Sequence, residues 1–178
     1  MKIGLVPGAM KPYHAGHHFL VEKALSECDK VFILTTIKDR GALSGESMST
    51  AWKEVIIPNI GNRVVVSFTK SPIGSVYEII EAEEIENSGN TFRIYGGTED
   101  VARFNMDKIH QKYPNAAPNF TNVAAEEASS YVRSVSTPKA KGEWVREALK
   151  YSNLEKFKSQ MPECLKNHAE RYMEILNG

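Results

Sequence analysis

Five short apolar runs recur along the chain, each followed by a stretch of helical spacing, with short connections between them. The runs cover residues 3–6, 31–36, 63–68, 91–95 and 120–124 and are rich in β-branched residues. They are too short for helices and too continuously apolar for one-sided strands, so they read as buried parallel strands. Between them, apolar residues return at a period near 3.6. Leu20, Val21, Ala24, Leu25 and Cys28 form the first such stripe. A second helix is expected from residues 47–50 through Trp52 and Val55 to Ile57, where Pro58 and Gly61 stop it. A third carries Val76, Ile79, Ile80 and Ala82 inward and Glu78, Glu81, Glu83, Glu84 and Glu86 on a solvated face. Thr98 is the expected cap of a fourth, with Val101, Phe104 and Ile109 buried. Thr137 and Pro138 open a fifth, carrying Trp144, Val145, Ala148 and Leu149. A short helix around Leu154 and Phe157 follows, and Pro162 opens a last one carrying Leu165, Ala169, Tyr172, Met173 and Leu176. Strand and helix alternating in this way predict an α/β fold: a doubly wound, five-stranded parallel sheet with helices on both faces and a C-terminal helical extension. The expected organisation is one domain over residues 1–150, with residues 151–178 as helices packed on it.

In such a sheet, ligands bind outside the carboxyl ends of the strands, where strand order reverses. The chemically informative segments fall there: GAMKPYHAGH, TIKDRG, TKSPIGS, YGGTED and SVSTPKAK. The first is the most specific. His14 and His17 sit three apart at the opening of a helix, on one face, with Gly16 between them. A helix opening presents unpaired N–H groups and partial positive charge, so it attracts anions. Two imidazoles, with Lys11 and Lys23 nearby, make this a place to hold a phosphate. His18 is read as a packing residue. Its spacing from His14 is also that of zinc ligands on a helix, but no third ligand is evident.

The 22 basic and 22 acidic residues balance, so net charge gives no argument for nucleic acid or membrane. No apolar run approaches the length of a membrane span, and the first residues enter a strand directly, unlike a signal peptide. The two cysteines, Cys28 and Cys164, lie far apart, which fits free thiols and a cytoplasmic setting.

The stretch from Gly8 through Ala9, Met10, Lys11, Pro12, Tyr13, His14, Ala15 and Gly16 to His17 resembles the first signature of the His-x-Gly-His nucleotidyltransferases. That superfamily, cytidylyltransferase-like and Rossmann-like in fold, includes nicotinamide mononucleotide and phosphopantetheine adenylyltransferases and glycerol-phosphate cytidylyltransferases. Its late Ile-Ser-Ser/Gly-Thr-x-x-Arg signature is matched in place by residues 135–141, with Lys141 for the arginine and Pro138 where a threonine is usual. The similarity runs through nearly the whole chain. It implies attack by an acceptor phosphate on the α-phosphate of ATP or CTP, with release of pyrophosphate. By the same resemblance, His14, His17, Lys11 and Lys141 are the catalytic set. Gly8, Ala9, Met10, Gly16, Gly97, Asp100, Ser136, Thr137 and Lys139 bind the nucleotide. Lys38, Arg40 and Ser71 face the acceptor. Magnesium is carried mainly by the triphosphate, and no protein metal ligand is implied. Expected partners are a nucleoside triphosphate and a small phosphorylated acceptor, with no membrane or nucleic acid; a homo-oligomer is compatible with the sequence.

Three other readings stand beside this one. A catalytically silent nucleotide-binding or regulatory protein on the same fold is supported by Pro138 alone. The cations Arg133, Lys139, Lys141, Arg146 and Lys150 also form a pattern that suits an RNA or partner face. A fragment of a class I aminoacyl-tRNA synthetase shares the histidine signature, but the chain is short and lacks a Lys-Met-Ser-Lys-Ser loop.

Overall fold

The computed structural model describes residues 1–97, 102–123 and 140–178. Its strands are β1 (Lys2–Pro7), β2 (Lys30–Thr35), β3 (Val64–Phe68), β4 (Thr91–Tyr95) and β5 (Phe120–Val123). All neighbours pair in parallel, in the order β3-β2-β1-β4-β5. Helix α1 (Ala15–Glu27) connects β1 to β2, and α3 (Pro72–Glu86) connects β3 to β4. The two connections run in opposite directions across the sheet. Right-handed crossovers therefore put helices on both faces, the Rossmann-like α/β arrangement expected from the alternation. Strand order reverses between β1 and β4, and β1 ends at the start of the histidine stretch.

Contacts divide the chain into two compact units. The first comprises Met1–Gly8, Leu20–Thr36 and the described part of Arg63–Tyr131. Its core is Leu5, Leu34, Phe92, Ile94 and Phe120 of the sheet with Val76 and Ile80 of α3, and the Phe92 and Phe120 rings stack at 4.5 Å. The glutamates of α3 depart from expectation. Glu83 is buried and accepts from the Ser88 hydroxyl and amide. Glu84 accepts from the amides of Asn115 and Ala116, and Glu81 from the Tyr113 hydroxyl. A sequence-regular charge run hides these tethers because a carboxylate that holds a distant loop has the same helical position as one in water. Helix α4 (Met106–Lys112) starts at the Asn105 cap, whose side chain accepts from the Lys108 amide. The expected Thr98 cap lies outside the described residues, as does Val101.

The second unit comprises Ala9–Phe19, Ile37–Asn62 and the described part of Val132–Gly178. Its interior holds Tyr13, Met48, Trp52, Phe157, Met161 and Tyr172, with Tyr13 against Trp52 at 5.1 Å and Phe157 edge-on to Tyr172 at 5.2 Å. Helix α2 (Gly45–Ala51) begins earlier than expected, because the Ser44 side chain accepts from the Ser47 amide and supplies the cap. It continues into a π-helical turn over Trp52–Ile56 and a 3-10 turn over Ile57–Asn59. Helix α5 (Gly142–Lys150) starts later than the proline suggested: Lys141 is its extended N-cap, and Thr137 and Pro138 lie outside the described residues. Helix α6 (Leu154–Ser159) is as expected. The last helix is two, α7 (Glu163–Lys166) and α8 (Ala169–Asn177), because the backbone leaves helical geometry at His168.

Candidate functional site

The two histidines hold the opening of α1 together. His14 stands at the N-cap, and its Nδ1 accepts from the Gly16 amide at 2.9 Å. His17, at the third helical position, reaches back so that its Nδ1 accepts from the His14 amide at 3.2 Å. This is the reciprocal geometry of a capping box, built from two imidazoles instead of a serine and a glutamate. The three-residue spacing is thus the spacing a helix start requires. Ala15 N–H donates to the Gln160 carbonyl, which satisfies another first-turn donor. The rings stack at 3.9 Å between centroids.

A backbone amide can only donate, so both Nδ1 atoms are unprotonated and both rings carry their proton on Nε2. Burial, aided by the Arg146 charge, lowers the His14 pKa to about 4. Burial and then His14 itself push the His17 pKa well below the usual histidine range. Both are neutral at pH 7. Each offers one N–H donor, and among the described residues neither Nε2 has a protein partner.

Gly16 has a local reason to be glycine. A Cβ there would lie 2.8 Å from His14 Cε1 and 3.3 Å from the Ala140 carbonyl oxygen. The His14 ring folds over Gly16, and the backbone just before Lys141 closes on its other side. The late basic segment and the histidine turn therefore abut within one unit.

Arg146 of α5 was read in the sequence as part of a cation pattern suited to an RNA or partner face, and not as a neighbour of the histidine turn. Its Nη1 donates to the Lys11 carbonyl at 2.9 Å, and its charge depresses the His14 pKa. One cue was available: Arg146 follows Gly142 by four residues, so a helix turn without a side chain lies under its guanidinium. Lys11 is lowered in pKa by partial burial, then by Arg40 and Lys38. Arg146 is lowered by burial, then by Arg40. Like charges thus crowd around the first loop.

The other expected residues fall as follows. Ala9 is exposed, and Met10 is buried with φ 47°. Gly8 lies in the first unit, where its amide donates to the Leu34 carbonyl. Gly97 and Ser71 also belong to the first unit; Ser71 caps α3 and accepts from the Gly74 amide. Lys38 and Arg40 are exposed in the second unit. Lys141 is exposed, with Nζ 5.1 Å from the Trp144 ring centroid. Asp100, Ser136, Thr137 and Lys139 lie outside the described residues. His18 packs as expected, its Nδ1 2.7 Å from the Tyr13 hydroxyl.

No family model matches the sequence, and no curated protein does. Solved structures do share the fold, among them nicotinate- and NMN-adenylyltransferases. A candidate nicotinate-nucleotide adenylyltransferase of Vibrio parahaemolyticus superposes with a TM-score of 0.58 at 17% identity, covering 95% of this chain and 98% of that one. The nicotinic acid mononucleotide adenylyltransferase of Plasmodium falciparum, complexed with APC, gives 0.56 at 11% identity over 98% and 96%. A bifunctional NMN adenylyltransferase/ADP ribose pyrophosphatase of Francisella tularensis, complexed with AMP and a manganese ion, gives 0.54 at 15% identity, covering 97% of this chain and 49% of that one. At these identities the likeness is one of fold. No helix among the described residues is long and apolar enough to cross a membrane.

Proposed function

We propose that this protein is a nucleotidyltransferase that moves a nucleoside monophosphate, AMP in preference to CMP, from a nucleoside triphosphate to a small phosphorylated acceptor. The observation that carries the reading is the pair of neutral imidazoles. Both are fixed by backbone amides and each has an Nε2–H without a protein partner among the described residues, beside Lys11 and Arg146. The adenylyltransferase fold neighbours support the choice of adenine.

The acceptor's phosphate oxygen forms a bond to the α-phosphorus while the bond to the α–β bridging oxygen breaks, and pyrophosphate leaves with that electron pair. No protein nucleophile is required. The chain's task is to position the polyphosphate and to stabilise charge that builds on it. His14 and His17 donate Nε2–H to α-phosphate oxygens. The helix dipole of α1 adds to this field. Lys11 lies over the phosphates, and Lys141, with Ser136, Thr137 and Lys139, holds the β- and γ-phosphates. The family resemblance assigns Gly8, Ala9, Met10, Gly16, Gly97 and Asp100 to the nucleotide and Lys38, Arg40 and Ser71 to the acceptor.

The donors around the histidines are N–H groups and cations, which suit phosphate oxygens and not a metal ion. No group of three or more His, Cys, Asp or Glu able to hold a metal occurs among the described residues. That donor set fits Mg²⁺ arriving on the triphosphate, where it would neutralise the leaving pyrophosphate.

Pyrophosphate release, measured with ATP and then CTP across a panel of phosphorylated acceptors, tests the reading. Stoichiometric pyrophosphate with one acceptor is expected. A protein whose melting temperature rises with ATP but which releases no pyrophosphate with any acceptor is the silent nucleotide binder instead.

A further inference from the structure

The second unit contains a cleft of about 680 Å³ whose chemistry the histidine pair does not explain. That volume lies in the range of small-molecule sites. Arg40, Arg146 and Lys150 stand around it, and Leu43, Leu149 and Leu176 form an apolar wall. Among the described residues, Arg40 and Arg146 have no carboxylate within ion-pair distance. Instead, the Arg40 charge is felt at Arg146 and at Lys11, and the opposing charge felt by Arg146 comes from Glu143. Crowding guanidinium groups that form no ion pair is unfavourable unless an anion completes the set. An anion alone needs no leucine wall. The three leucines are buried residues that nonetheless line the opening.

We propose that this cleft binds a small molecule with an anionic head and an apolar or aromatic body. Arg40 and Arg146 grip a phosphate head by paired N–H donors, and the body lies along Leu43, Leu149 and Leu176. Under the nucleotidyl-transfer reading, on which the role though not the site rests, the occupant is the acceptor. Arg146 then stands between the cleft and the histidine turn: it lines the cleft, and its Nη1 donates to the Lys11 carbonyl. The substrate class follows: a monophosphate with a planar or apolar group attached, in preference to a bare polyol phosphate.

Calorimetry on the full chain with three probes tests this: phenyl phosphate, inorganic phosphate and ATP. Phenyl phosphate should bind roughly 10-fold or more tighter than inorganic phosphate, the scale of burying one ring edge. Arg40→Gln, at an exposed position, should weaken phenyl phosphate about 10-fold and leave ATP within about 2-fold; His14→Asn should do the reverse. Equal affinity for phenyl and inorganic phosphate overturns the apolar-bodied ligand. Equal losses of ATP and phenyl phosphate in Arg40→Gln overturn the separate site and give the cleft to the triphosphate. Should ATP not bind at all while phenyl phosphate binds in an Arg40-dependent way, the cleft stands and the transferase reading falls.

Discussion

Two polar clusters in this molecule follow opposite rules. In the first unit, Tyr95 donates to Glu27 at 2.7 Å and accepts from Arg93 Nε at 3.0 Å, while Arg93 and Glu27 form an ion pair at 3.8 Å. Cys28 lies 3.6 Å from the same hydroxyl. Burial, then the bond to Glu27, pushes the Tyr95 pKa up, so the phenol stays protonated and every charge meets its opposite. Around Lys11 and Arg146 in the second unit, like charges meet: Arg40 acts on both and Lys38 on Lys11, with Asp39 opposing at Lys11 and Glu143 at Arg146. The first cluster is complete as it stands, and such a network holds a fold together. The second is complete only when something negative joins it. Where charges are left uncompensated is therefore a better guide to the site than where polar residues are buried.

The comparison breaks if the two clusters respond alike to mutation. His17→Ala should lower turnover about 10²-fold or more, the scale for losing a preorganised donor to the reacting phosphate. Steady-state pyrophosphate release measures it, and near-normal turnover would remove His17 from the mechanism. Gly16→Ala should come next. The added methyl displaces the His14 ring and meets the Ala140 carbonyl, so turnover should fall by about 10-fold or more while stability drops by about 1–3 kcal/mol. Stability should also depend on acid. The His14 pKa is about 4 folded and near 6.5 unfolded, so the unfolded chain binds more protons below pH 6.5. Stability is full above that pH and is lost as pH falls toward 4, by up to about 3 kcal/mol. Denaturant unfolding across this range, flattened in His14→Asn, checks the sign. Tyr95→Phe should cost about 1–3 kcal/mol by removing the hydroxyl that donates to Glu27 and accepts from Arg93, and turnover per folded molecule should stay unchanged. Gly142→Ala should have the smallest effect. A Cβ there lies 2.9 Å from Arg146 Nη1, the movable end of a long side chain, so affinity for phosphate ligands shifts a few-fold and stability hardly changes.

Much of this was legible in the sequence. The sheet was, because buried parallel strands write themselves as apolar runs such as residues 31–36. The shared helix opening of His14 and His17 was as well, because capping fixes residue spacing. The contact of Arg146 with the first loop was hidden, since one arginine on an amphipathic helix has the same pattern whether it faces water or a distant segment. The tethering role of Glu84 was hidden for a related reason: its partners, Asn115 and Ala116, are far away in sequence, and only the folded chain reveals them. Leu149 and Leu176 of the cleft read as ordinary core positions because periodicity reports which face is apolar, not what lies over it.

The histidine turn is fastened by residues near the other end of the sequence. The Tyr172 hydroxyl donates to the Tyr13 carbonyl at 2.8 Å, and the Gln160 carbonyl takes the Ala15 amide at 2.9 Å. During synthesis the ribosome releases Tyr13 some 160 residues before its fastener. The nascent chain can pair its first strands while its histidine turn still hangs loose. Fragments stopped short of α8 should therefore lack a fastened histidine turn however well their sheet has formed.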